Sequence, residues 1–124
     1  MRRLLDVGSC GYDHDRFATF LRSHFDVDIV AVDSLQEALQ KLREQSFDLV
    51  TVNRILDYEG SEGLDVIRQI KSDPSLVGIP VMMITNFAEY QLQAQEAGAA
   101  PGFGKSTLNS PDTLELLRPY LAAQ

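Results

Sequence analysis

The chain has 124 residues, 44% of them hydrophobic, and a formal net charge of -7. Those values suit one domain with a single buried core and exclude a disordered or low-complexity chain. The acidic balance argues against nucleic acid as a direct partner, because a phosphate backbone calls for a basic face and Arg2-Arg3 is the one adjacent basic pair.

No apolar run is long enough to span a bilayer and no secretory leader is visible, so no membrane partner is expected. The lone Cys10 excludes an internal disulfide and fits a reducing compartment. These points predict a cytoplasmic single domain, residues 1–124, with protein partners.

Arg3-Leu4-Leu5-Asp6-Val7 reads as a short first strand, ended by the turn-rich Gly8-Ser9-Cys10-Gly11. Asp13 is the expected N-cap of a helix whose apolar positions Phe17, Phe20 and Leu21 recur at helical spacing. Val27 to Val32 is a second strand; Asp33 or Ser34 then caps a helix with Leu35, Ala38, Leu39 and Leu42 on its inner face. The run Ser46 to Arg54 is apolar and β-branched in its centre, which predicts a strand buried on both faces. It opens into the polar loop Ile55 to Glu62 and resumes as a helix with Leu64, Ile67 and Ile70 on one side, closed near Lys71-Ser72-Asp73-Pro74. Ile79 to Thr85 is a fourth, strongly apolar strand; Phe87 to Ala97 is helical and stops at Gly98. A brief fifth strand lies near Gly102-Phe103-Gly104, and a last helix starts at Ser110-Pro111, a cap followed by proline at the first helical position.

Five strand–helix units with short connections predict a three-layer α/β sandwich, its parallel sheet doubly wound in the flavodoxin-like order 2-1-3-4-5 with five helices. That order places the switch point between strands one and three. The loops after Val7 and Asn53 then face each other across the site.

Phe47-Asp48-Leu49-Val50-Thr51-Val52, Gly63-Leu64-Asp65-Val66-Ile67, Ile79-Pro80-Val81-Met82-Met83-Ile84-Thr85, Ala97-Gly98-Ala99 and Lys105 together resemble the response-regulator receiver domain of two-component signalling over essentially the whole chain. The resemblance implies a phosphoacceptor aspartate ending strand three, an acidic pair after strand one that holds Mg²⁺, a Ser/Thr ending strand four and a Lys ending strand five. Thr85 and Lys105 match the last two. Asn53 falls at the phosphoacceptor position, and Gly8-Ser9, or Cys10 in a shifted register, at the acidic pair. The loop after Asn53 is longer than the usual pattern, and Ser106 replaces the proline that normally follows the lysine.

An acyl phosphate forms by attack of an anionic carboxylate oxygen, whereas a carboxamide is neutral and a poor nucleophile. Mg²⁺ is bound through carboxylates, of which Gly8, Ser9 and Asn53 supply none. The sequence therefore predicts a pseudo-receiver: no catalysis, no metal, no cofactor, and signalling through phosphorylation-independent protein–protein contact in a two-component or phosphorelay pathway. The expected partner is a signalling protein or histidine kinase, or a second copy of the chain. The expected docking residues are Phe87, Tyr90, Gln91, Ala94 and Phe103, although Phe87 and Tyr90 could equally pack against the sheet.

Two alternatives use the same loops. Asp57, with Asp13 or Asp15, could form a relocated metal site and serve as a non-standard phosphoacceptor. Ser9, Asn53, Thr85 and Lys105 could hold a small anion, leaving the chain a ligand sensor. In the latter reading Lys105, facing neutral groups, has Asp57, Asp6, solvent or the anion for a partner. Cys10 is either a fitted turn residue or a thiol activated by a helix N-terminus. His14 and His24 lack metal-ligand spacing.

Overall fold

The computed structural model describes residues 1–122. Its strands are β1 (Arg2–Val7), β2 (Val27–Val32), β3 (Leu49–Asn53), β4 (Val81–Ile84) and β5 (Ala100–Phe103). They form one parallel sheet in the order β2-β1-β3-β4-β5, the order the alternation of elements predicts. The helices are α1 (Gly11–His24), α2 (Leu35–Glu44), α3 (Gly63–Ser72), α4 (Ala88–Glu96) and α5 (Pro111–Leu121).

Strand residues alternate between two cores, as the period of a strand requires. Leu5, Val7, Val50, Val52, Val81 and Met83 pack against Ala38 and Leu42 of α2, Val66, Ile67 and Ile70 of α3, and Ala94 of α4. Leu4, Leu49, Met82 and Ile84 point the other way, onto Phe17, Phe20 and Leu21 of α1 and Leu117 and Leu121 of α5. β3, central in the sheet, is buried at every position. This is why its sequence shows a continuous apolar run instead of alternation. Truncating a fully buried leucine such as Leu4 or Leu117 to alanine removes about 2–5 kcal/mol.

The caps explain where helices begin. Ser34 Oγ accepts from Glu37 N and Ser110 Oγ from Asp112 N, as expected. At α1 the expectation is corrected: the cap is Cys10, whose Sγ accepts from Asp13 N at 3.4 Å. The helix thus begins earlier than a cap at Asp13 would allow, and Asp13 lies in its first turn, where a carboxylate favours the helix dipole. Cys10 has a structural use, that of the fitted turn residue.

The two loops at the switch point do meet. Gly8 N donates to Val32 O at 2.9 Å and Gly8 O accepts from Asp57 N at 2.9 Å, so the loop after β3 folds over the end of β1. Gly8 has φ +82°, a left-handed conformation that favours glycine, and Leu56 lies where a Cβ would stand. Among the described residues no helix is long and apolar enough to cross a membrane.

Candidate functional site

Asn53 ends β3 and is only 6% exposed. Its Nδ2 donates to Gly8 O at 3.3 Å and to Ile55 O at 3.0 Å. Two carbonyls fix the amide's orientation, since a flip would set three oxygens against one another. The amide oxygen Oδ1 is left buried with no hydrogen-bond partner. Leaving a buried polar atom unpaired costs about 1–3 kcal/mol.

On the α1 side of the switch point the buried Asp6 carboxylate and the groups around it are engaged with one another. Alternation along β1 turns Asp6, like Leu4, toward α1, and Asp6 is 1% exposed. Its Oδ1 accepts from Ser9 Oγ at 2.9 Å and from Thr51 Oγ1 at 3.3 Å; its Oδ2 lies 2.7 Å from His14 Nδ1. Donating that hydrogen bond to the Asp6 carboxylate raises the His14 pKa above its ordinary value, against an opposing effect of burial. The Asp6–His14 pair is not apparent in the sequence: eight positions separate the residues, and only the turn geometry around Cys10 stacks one over the other.

Lys105 Nζ lies 2.6 Å from Asp13 Oδ2. Among the described residues the lysine's partner is therefore neither Asp57 nor Asp6, but an acid in the first turn of α1. The Lys105 hydrogen bond in turn holds the Asp13 carboxyl below its ordinary pKa. Of the grouping Ser9, Asn53, Thr85 and Lys105, the last three border one cavity while Ser9 does not, and the side chains are largely engaged elsewhere. Ser9 is turned to Asp6, Lys105 to Asp13, and Asn53 directs its hydrogens at backbone carbonyls.

The candidate substitute acids do not converge either. Asp15 is exposed on α1 and Asp57 is exposed in the loop. Among the described residues no three His, Cys, Asp or Glu side chains are placed to hold a metal ion. The Mg²⁺ implied by the resemblance does not fit these residues. The carbonyls of Gly8 and Ile55 are taken by the Asn53 amide, and the Asp6 carboxylate is sealed by Ser9, Thr51 and His14.

The other flank is open. Thr85 Oγ1 accepts from Phe87 N at 3.3 Å, which sets the start of α4, a helix that begins without a side-chain cap. Arg54, next to Asn53, lays its guanidinium 4.4 Å from the centroid of the Tyr90 ring, and Phe87 meets the same ring edge-on at 6.0 Å. Between the loops after β3 and β4 lies a cavity of about 340 Å³, bordered by Asn53, Arg54, Asp57, Thr85, Phe87 and Lys105. Arg54 carries no sequence signal as a site residue, being a lone basic residue in a loop whose stacking partner lies on α4.

The expected docking residues separate into two groups. Phe87 is 57% exposed, while Tyr90 is partly buried and packs against the core. Ala94 is fully buried and Phe103 is 7% exposed, so neither can form an exposed docking surface. Gln91 is engaged within the fold at an irregularity in the β4–β5 pairing. Its Nε2 donates to Met83 O at 2.8 Å and reaches Phe103 O at 3.4 Å, and its Oε1 accepts from Gly102 N at 3.0 Å. A side chain at Gly102 would collide with the Met83 carbonyl and this amide, so the glycine admits the link.

The response regulator receiver domain family model matches residues 13–112, and the chain belongs to that family. The chain also resembles solved receiver structures. One is the signal receiver domain of a DNA-binding response regulator (merR) from Colwellia psychrerythraea 34H, with TM-score 0.77, 22% identity, and coverage of 95% of this chain and 99% of that one. Another is the chemotaxis response regulator CheY4 of Vibrio cholerae, with TM-score 0.76, 18% identity, and coverage of 98% and 99%. A third is a response regulator from Burkholderia pseudomallei, at TM-score 0.73, 18% identity, and coverage of 99% and 68%. That protein carries a phosphorylated aspartic acid, a calcium ion and citrate. At these identities the likeness speaks to the fold, which is the two-component receiver fold.

Proposed function

We propose that this receiver domain is a pseudo-receiver: it signals through protein–protein contacts that do not depend on phosphorylation, and it has no catalytic activity of its own. The observation that carries the reading is Asn53. It stands at the end of the central strand, where the resemblance places the phosphoacceptor, and its amide engages the carbonyls of Gly8 and Ile55. A neutral amide held in that way offers no nucleophile for an acyl phosphate.

The Lys105–Asp13 and Gln91 links support the same reading. Both tie the segments around the switch point and the β4–α4–β5 edge into one arrangement without a phosphoryl group. The partner is a signalling protein of a two-component-type pathway, and it docks on the exposed Phe87 with Tyr90 and Arg54 behind it. The reading is tested by capture from source cells with the wild-type chain and a Phe87→Ala/Tyr90→Ala variant, each with and without a small phosphodonor. The wild-type chain is expected to recover one set of proteins in both conditions, and the variant to lose it. A set that changes with the phosphodonor contradicts the proposal. Because Tyr90 packs against the core, Phe87→Ala is also captured alone; it is expected to alter stability by less than about 0.5 kcal/mol, so its loss of capture reports on contact and not on folding.

A further inference from the structure

We infer that the outer edge of β2 is a docking site for an extended, basic-flanked peptide segment, which adds to the sheet as a further strand. The inference goes beyond the docking role proposed above and does not rest on it, because β2 and the Phe87 face lie at opposite ends of the sheet.

The sheet has two free edges, and the chain treats them differently. β5 is four residues long, carries Pro101 and pairs with β4 through an irregular register. A proline and a broken register are devices that keep a strand from accepting a neighbour. β2 has neither. Its six residues, Val27-Asp28-Ile29-Val30-Ala31-Val32, are mostly β-branched and pair with β1 in unbroken register. Among the described residues no strand lies beside their outward N–H and C=O groups. Such a row is a template for one more strand.

Burial along β2 points the same way. Val27 and Val32 at its ends are covered, whereas Asp28 and Ala31 are exposed and Ile29 and Val30 are half-buried. Ile29 lies at the margin of the core that α1 closes, and Val30 at the margin of the core that α2 closes. The side chains of an added strand alternate between the same two faces, so apolar residues at successive positions would each cover one margin.

Charge selects the occupant. Asp26 and Asp28 are exposed at one end of the strand and Asp33 at the other; of the three, Asp28 alone has an ion-pair partner among the described residues, Arg3 at 3.4 Å. A second copy laid antiparallel on this edge would bring Asp33 of one chain toward Asp26 and Asp28 of the other, and the formal charge of -7 on each chain would oppose the approach. An apolar segment flanked by lysines or arginines meets complementary charge at both ends, in either strand direction.

The test is a titration of the isotopically labelled full chain with the acetylated, amidated peptide Lys-Lys-Val-Thr-Ile-Thr-Val-Lys-Lys, following amide shifts and hydrogen exchange along β2. Saturable shifts and slowed exchange between Asp28 and Ala31 are expected, with a Kd below about 1 mM. The same peptide with glutamates in place of its lysines is expected to bind at least about tenfold more weakly. A copy N-methylated at its five central residues, which cannot complete a ladder, is expected not to bind. Ala31→Lys sets a guard charge on an exposed position of the edge and is expected to weaken the parent peptide roughly tenfold, with unmoved β3 amides showing that the sheet is intact. The inference is overturned by unmoved β2 amides at about 2 mM peptide, by a glutamate-flanked or N-methylated peptide that binds as tightly as the parent, or by an unchanged response in Ala31→Lys. Dimerisation through β2 without peptide would give the edge to a second copy and overturn it as well.

Discussion

The two flanks of the switch point treat their polar groups in opposite ways. Toward α1, a buried carboxylate has three partners and the pocket lysine is paired with a second acid, Asp13. Toward α4, an amide oxygen is left unpaired, an arginine has an aromatic ring in place of an acid, and a phenylalanine faces solvent. The first flank is built for stability. The second retains uncompensated groups at a stability cost, and such groups are where binding is to be sought.

The contrast predicts that substitutions on the closed flank act on folding. Asp6→Ala would strand the buried Thr51 hydroxyl and remove the partner of the half-buried Ser9 and His14, and is expected to lower stability most, by about 3 kcal/mol in urea denaturation. A loss under about 1 kcal/mol would show that the network is not closed. Gln91→Ala removes the link between α4 and the irregular β4–β5 edge. About 1–2 kcal/mol is expected, together with faster hydrogen exchange at Gly102. Unchanged exchange there would remove the Gln91 link from the account.

The smallest effect is a slope with pH. The pKa of His14 in the fold lies above its ordinary value of 6.5. Its contribution is therefore complete below pH 6.5 and declines as pH rises through the folded-state value. Thermal midpoints of wild type minus His14→Gln, taken across that range, are expected to fall with rising pH. A difference that stays flat or rises would mean that Asp6 does not favour the imidazolium.

How far the sequence revealed each flank follows from the distance over which its physics acts. Strand order and core faces were legible because buried parallel strands and amphipathic helices print their periods locally. Asn53, Thr85 and Lys105 were legible through their order along the chain. The partners of those residues were not. Lys105 meets Asp13 because a cysteine, an unusual cap, starts α1 three residues before Asp13. Arg54 finds Tyr90 only once α4 is seated beside the β3–α3 loop. The sequence extends the expected docking face onto the buried Ala94 because α4 is only weakly amphipathic. Its buried Ala94 and its exposed Leu92 carry no pattern strong enough to tell inside from outside.

The central claim is that the Asn53 position takes up no phosphoryl group and that no relocated acid does so in its place. The direct measurement is the intact mass of the wild-type chain after incubation with a small phosphodonor and Mg²⁺. The account predicts an unchanged mass. A gain of one phosphoryl group, lost on mild treatment with hydroxylamine as an acyl phosphate would be, would contradict it and assign the chemistry to a carboxylate such as Asp57.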